Sequence, residues 1–92
     1  MRIIEVDAER LTNKTKVYNY MKELFELPEY YTKNLNSLYD CLCEIEGDVN
    51  FEFSVDALRD ICNDDYAFRF LMVIGKVVES NPHVKISFTN KV

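Results

Sequence analysis

The chain has 92 residues, 48% of them hydrophobic, and its 11 basic and 16 acidic residues give a formal net charge of −5. A chain of this length provides one domain with one core. Its acidity argues against direct binding of nucleic acid, which requires Lys and Arg to neutralise phosphates. No apolar run approaches the roughly 20 residues of a membrane span, and the N-terminal residues lack the basic and apolar pattern of a signal peptide. We therefore expect a single cytoplasmic domain over residues 1–92, with neither a membrane nor nucleic acid as a direct partner.

The three cysteines, Cys41, Cys43 and Cys62, are an odd number without a C-x-x-C spacing. This pattern favours reduced thiols over a disulfide framework. A single histidine gives little support to a Cys/His zinc site, and His83 has no nucleophile or carboxylate at a suggestive spacing. We therefore expect no metal, no cofactor and no enzymatic activity.

The first predicted element is a strand over residues 2–6, which are rich in β-branched side chains. Asn13 or Thr15 then provides a helix N-cap. Pro28 is expected to end this helix, because the residue before a proline disfavours the helical conformation. The apolar stripe of the helix consists of Val17, Met21, Leu24 and Phe25.

A second helix is predicted from an N-cap at Asn34 to Gly47, where a left-handed turn would end it. Its apolar side chains recur with the i, i+3, i+4 and i+7 spacing of a buried helix face. These residues are Leu35, Leu38, Tyr39, Leu42 and Ile45.

In the second half of the chain, apolar and polar residues alternate over 49–55, which indicates a strand with one buried face. A short helical turn is predicted over 56–61, and Asp64 or Asp65 caps a longer helix that ends at Asn81-Pro82. Val84, Ile86 and Phe88 then alternate with other residues through a last predicted strand. Strands separated by helices can pair in parallel. We therefore predict an α/β fold, a three-stranded parallel sheet packed by three to four helices.

The second helix and the loop before it have an acidic and tyrosine-rich surface. Its side chains are Asn36, Tyr39, Asp40 and Cys43 on one flank of the helix and Tyr30, Tyr31 and Asn34 in the loop. Central aromatic side chains and well-placed charges often dominate the energy of a protein interface. The pattern also allows the ordinary alternative, in which the tyrosines fill the edge of the core and the acids face water.

The run at residues 27–42, L-P-E-Y-Y-T-K-N-L-N-S-L-Y-D-C-L, closely resembles the signature of the barstar family of intracellular ribonuclease inhibitors. The resemblance implies a barstar-like fold and inhibition by substrate mimicry. The carboxylate of Asp40 would enter the phosphate-binding pocket of a cationic ribonuclease or a related nuclease toxin. Carried over by position, the partner-binding residues would be Tyr30, Tyr31, Asn34, Tyr39, Asp40 and Cys43.

Three further positions of the predicted partner-binding set depart from the family pattern. Thr32 replaces a glycine, Asn36 replaces an acidic contact residue, and Lys76 on the long helix reverses the charge of another acidic contact. These departures predict a target other than barnase, or much weaker binding to it. We expect a monomer when the protein is free. A second hypothesis is a non-inhibitory interaction or regulatory module on the same scaffold.

Overall fold

The computed structural model describes residues 1–90. Its elements are strand β1 (Arg2–Glu5), a 3-10 turn (Ala8–Leu11), helix α1 (Lys14–Leu24), helix α2 (Leu35–Cys43), strand β2 (Val49–Ser54), helix α3 (Val55–Cys62), helix α4 (Asp65–Ser80) and strand β3 (Val84–Thr89). The strands form one parallel sheet in the order β1-β2-β3. This confirms the predicted α/β class with a three-stranded parallel sheet and four helices. None of the described helices is long and apolar enough to span a membrane.

The sheet has one apolar face and one polar face. In the central strand β2, Val49, Phe51 and Phe53 are buried, and Phe51 lies between Ile4 of β1 and Ile86 of β3. The alternate residues of β2 are polar and only partly buried: Asn50, Glu52 and Ser54. Side chains alternate between the two faces of a strand, so the helices pack on the phenylalanine face.

The helix starts follow capping residues that the sequence predicts. The side-chain oxygens of Asn13, Asn34 and Asp64 each accept a hydrogen bond from the backbone N–H three residues later, at the starts of α1, α2 and α4. Ser54 caps α3 in the same way. Strand β2 therefore ends at Ser54, and Val55, which we expected as the last strand residue, is the first residue of α3.

Two helix ends differ from the sequence prediction. Helix α1 ends at Leu24, and Phe25 is already extended, so Pro28 lies beyond the end of the helix rather than at it. Helix α2 ends at Cys43 rather than near Gly47. Gly47 has no left-handed conformation, and no residue within the described range has a positive φ. The predicted glycine turn is therefore wrong.

Asn81 supplies the cap that Gly47 does not. Its buried side-chain Nδ2 donates to the carbonyl oxygens of Leu42, Cys43 and Ile45, at 3.0, 3.2 and 3.0 Å. Its Oδ1 accepts from the backbone N–H of His83 at 2.9 Å. The last carbonyl groups of a helix have no partner within the helix, so this side chain satisfies the end of α2 and joins it to the end of α4.

The burial of the apolar residues decreases along strand β3. Val84 is buried and Ile86 is half-buried, but Phe88 is 64% exposed. The Phe88 ring still faces Phe53, with ring centroids 6.1 Å apart. Since β3 is an edge strand, the outer side of the ring has no neighbouring strand to cover it. Phe88 is therefore the most exposed of the three alternating apolar residues of β3.

Candidate partner-binding site

The loop before α2 is held to the first turn of the helix by four hydrogen bonds. Asn34 Oδ1 accepts from the Ser37 N–H at 2.7 Å, and Asn34 Nδ2 donates to Thr32 Oγ1 at 2.8 Å. The Ser37 hydroxyl accepts from the Thr32 N–H at 2.9 Å and donates to the Tyr30 carbonyl at 3.2 Å. Both polar ends of the Asn34 side chain are thus used within the protein. This network fixes the path of the loop before any partner arrives.

Tyr30 is 49% exposed, and its side chain runs from the loop before α2 toward the C-terminal end of that helix. Its hydroxyl donates a hydrogen bond to Glu44 Oε2, at the C-cap of the helix. This bond raises the pKa of the Tyr30 hydroxyl, because it stabilises the neutral phenol beside a carboxylate. Glu44 was not among the predicted site residues. Its spacing of four from Asp40 is the sequence signal that could have identified it.

Asn36, Asp40 and Glu44 form one row along α2, because residues four apart lie on the same face of a helix. All three side chains are exposed. Asp40 lies in the middle of the row and has no side-chain hydrogen bond or salt bridge with any of residues 1–90. Its carboxylate is therefore directed to solvent and free to accept hydrogen bonds.

Tyr31 is 6% exposed, which is contrary to its expected role as a contact residue. Its ring stacks on Tyr18 of α1, with centroids 4.9 Å apart and an interplanar angle of 21°. Burial raises the pKa of its hydroxyl. Tyr31 has almost no surface to offer a partner in this conformation, because α1 supplies a stacking ring that the local sequence does not reveal. Tyr31 instead anchors the loop before α2 to α1 through its contact with Tyr18.

Tyr39, Cys43 and Lys76 extend the surface toward α4. Tyr39 is half-buried, and its hydroxyl is 2.8 Å from the hydroxyl of Ser80, near the end of α4. Lys76 is exposed and lies one turn before Ser80, on the same side of α4. Cys43 is half-buried. The structure therefore connects the predicted position on α4 to the flank of α2 through the Tyr39–Ser80 contact.

Asn36 lies at the opposite end of the row from Tyr30, beside a depression of about 260 Å³. We call this feature the cationic depression, and it is lined by Lys14, Lys33, Asn34, Leu35, Asn36, Tyr66 and Arg69. Lys14 and Arg69 come from α1 and α4. The surface along α2 is thus positive at the start of the helix and negative at its end.

One protein family, described as Barstar (barnase inhibitor), has a model that matches residues 1–55 of the chain. The match covers more than half of the sequence and includes β1, α1, the loop before α2, α2 and β2. The chain belongs to the barstar family. The resemblance seen in the run at residues 27–42 is therefore confirmed. A search of curated proteins gives no significant match.

Barstar-family membership makes a ribonuclease the expected protein partner and inhibition, rather than catalysis, the general role. Every predicted contact residue except Lys76 lies within the range matched by the barstar model. Lys76 and Arg69 lie on α4, outside that range. The barstar match therefore covers the α2 row and the tyrosine loop but not the α4 side of the surface.

The charges of the α2 row in this barstar-family chain do not favour the helix itself. Asp40 and Glu44 lie in its last turn and at its C-cap, and its last turn has no basic residue. The C-terminal end of a helix carries partial negative charge and is stabilised by cations rather than by acids. The acids at the end of α2 are therefore unfavourably placed with respect to the helix dipole.

Proposed function

We propose that this barstar-family chain inhibits a ribonuclease by inserting the carboxylate of Asp40 into the phosphate-binding cleft of the enzyme. The observation that carries the proposal is the exposed Asp40 side chain, which has no hydrogen-bond or salt-bridge partner among residues 1–90. Such a carboxylate keeps its full capacity to accept from Arg, Lys and His. Hydrogen bonds between charged groups are shorter and stronger than neutral ones, so a cationic cleft can offset the desolvation of the carboxylate.

The two tyrosines of the surface support this role because both are restrained in the free protein. Glu44 holds the hydroxyl of Tyr30, and Ser80 holds that of Tyr39. Ordering a side chain at an interface costs about 0.5–1.5 kcal/mol, and restraint before binding reduces that cost. The rings would also exclude water from the contact that Asp40 makes, which is how the rim of an interface protects its central residues.

We further propose that the target is not barnase itself. Thr32 places a side chain where the family has glycine, and its hydroxyl is engaged by Asn34. Asn36 and Lys76 are both exposed and replace acidic contacts with a neutral and a positive side chain. A ribonuclease with a fully cationic contact face would lose the two attractive contacts at positions 36 and 76, and it would be repelled by Lys76.

Inhibition of a panel of secreted ribonucleases, with barnase included, tests the proposal. We expect at least one enzyme to be inhibited more strongly than barnase, and Asp40→Ala to weaken that inhibition by about tenfold or more, since the loss of about 1.4 kcal/mol of binding energy is tenfold in affinity. Asp60→Asn is the matched control, because it neutralises an exposed acid on α3, away from α2. Equal inhibition by the wild type and Asp40→Ala would reject the role of Asp40.

A non-inhibitory interaction module is the second candidate, and the exposed Lys76 favours it. In that case the wild-type protein would inhibit no ribonuclease but would still bind a protein through the same surface. Capture on immobilised wild type and Asp40→Ala separates the two functions when the captured proteins are released from the matrix and then assayed for ribonuclease activity. Activity retained only by the wild type supports the inhibitor.

We also propose that residues 1–92 form a single barstar-like domain, although the family match ends at residue 55. Buried residues from β1, α2, β2, α4 and β3 belong to one continuous core. Asn81 joins the end of α4 to α2, which supports the same proposal. Urea unfolding should then show one transition for all spectroscopic probes, and two separated transitions would contradict it.

A further inference from the structure

The starts of three helices meet at the cationic depression. Lys14 is the first residue of α1, and Leu35 and Asn36 are the first two residues of α2. Tyr66 and Arg69 lie in the first two turns of α4. The backbone N–H groups at a helix start carry partial positive charge. Three formal cations and three helix starts therefore contribute positive potential to one concave surface.

The cations of the depression are not paired with acids in the part of the chain that the structure describes, and Lys14 lies at a helix start, where a cation is unfavourable. The first turns of α1 and α2 contain no acidic residue, although the helix dipole favours acids there. Within residues 1–90, neither lysine of the depression nor Arg69 forms a salt bridge, and this includes Asp65, one turn before Arg69 on α4. The ammonium of Lys33 also lies 5.8 Å from the centre of the Tyr18 ring.

We propose that the cationic depression binds acidic side chains of a protein partner. The proposal rests on the proposed function, because the partner is the same ribonuclease that receives Asp40. Arg69 offers a planar guanidinium that can bind a carboxylate through two parallel hydrogen bonds, and the lysines add point charges. The partner would therefore have a cationic cleft bordered by an acidic rim. The distance between cleft and rim would match the distance along α2 between Asp40 and the depression.

An acidic protein fits this surface better than RNA does. The depression shares Asn36 with the α2 row, and Asp40 and Glu44 follow one and two turns later. A strand of RNA that left the depression along α2 would bring phosphates next to these two carboxylates. A folded protein can present acids at one end and cations at the other. The same division of charge would exclude enzymes whose contact face is entirely basic.

Titration with an oligoglutamate peptide at low ionic strength, followed by amide NMR shifts, tests the inference without any ribonuclease. We expect shifts concentrated at residues 34–37 and 66–69 in the wild type. The double variant Lys33→Glu/Arg69→Glu should bind the peptide about tenfold or more weakly. Lys85→Glu is the control, because Lys85 is exposed early in β3 and does not line the depression.

Thermal unfolding separates a binding role from a structural one. Lys33 and Arg69 form no salt bridge within residues 1–90, and the like-charge pair that Arg69→Glu creates with the exposed Asp65 is only weakly repulsive. The double variant should therefore unfold within a few degrees of the wild-type temperature while its peptide binding is lost. Absent or uniformly distributed peptide shifts, or equal peptide binding by the double variant, would overturn the inference. Tighter binding of a single-stranded RNA oligonucleotide of the same charge at residues 34–37 and 66–69 would also overturn it. The peptide titration does not depend on inhibition of a ribonuclease. A negative result for inhibition and a negative result for the depression can therefore be distinguished.

Discussion

Removal of the Asn81 side chain is the most informative test of how the binding surface is held in place. Asn81 is 3% exposed, and its side chain donates to the last two carbonyls of α2 and to the carbonyl of Ile45, which follows the helix. Its two N–H groups are shared among three carbonyl oxygens and its oxygen accepts from the His83 N–H, which together are equivalent to about three full hydrogen bonds, each worth about 0.5–1.5 kcal/mol net. We therefore expect Asn81→Ala to lower the free energy of unfolding by about 3 kcal/mol.

That loss is large for a chain of this size. A domain with 92 residues is expected to have a total stability of about 5–14 kcal/mol. A loss of about 3 kcal/mol should lower the midpoint of thermal unfolding by about 12–24 °C. Urea unfolding followed by far-ultraviolet circular dichroism measures the free energy of unfolding. The slope of this free energy against urea concentration should stay unchanged if only the native state is affected.

Two further variants make the measurement specific. Asn81→Asp keeps the oxygen that accepts from His83 but directs a carboxylate oxygen at three carbonyl oxygens, so it should destabilise more than Asn81→Ala. Asn19→Ala is the control, because Asn19 is exposed on α1, and its effect should stay within about 0.5 kcal/mol. A loss below 1 kcal/mol for Asn81→Ala, or a more stable Asn81→Asp, would refute the capping role.

Two other predictions concern ionisation and reactivity. Burial raises the pKa of Tyr31, so the folded protein keeps that proton above pH 10, where tyrosines of the unfolded chain lose theirs. Stability should therefore fall as the pH rises above about 10, by up to about 1.4 kcal/mol per pH unit per tyrosine, and Tyr31→Phe should reduce the fall; an unchanged alkaline profile would contradict it. In the native protein a thiol reagent should modify the exposed Cys62 first and the buried Cys41 last, because burial also raises the pKa of Cys41. Reaction of the Cys62→Ser variant at the wild-type initial rate would contradict this order.

The parts of the fold that depend on neighbouring residues were predictable from the sequence. The N-caps of α1, α2 and α4 need only a polar side chain and an N–H three residues away. The alternation of apolar and polar residues in β2 likewise identified its buried face. The 3-10 turn that places the fully buried Leu11 in the core was missed, because a single turn has no periodicity to detect.

The features that the sequence did not reveal depend on residues far apart in the chain. Tyr31 is buried because Tyr18 stacks on it, and α2 ends at Cys43 with its last carbonyls satisfied by Asn81. The cationic depression exists because α1 and α4 bring Lys14 and Arg69 to the start of α2. Each of these requires the three-dimensional arrangement of elements that no local pattern specifies.

The position of Asn81 in the chain has a consequence for protein synthesis. The end of α2 is capped by a residue that leaves the ribosome after α3 and α4, and strand β3 follows it. All strand pairs are parallel and join distant segments, such as Ile4 with Phe51 and Phe51 with Ile86, so no hairpin can nucleate the sheet. A nascent chain that has exposed α2 therefore still lacks the Asn81 side chain that contacts the end of that helix and the third strand of the sheet.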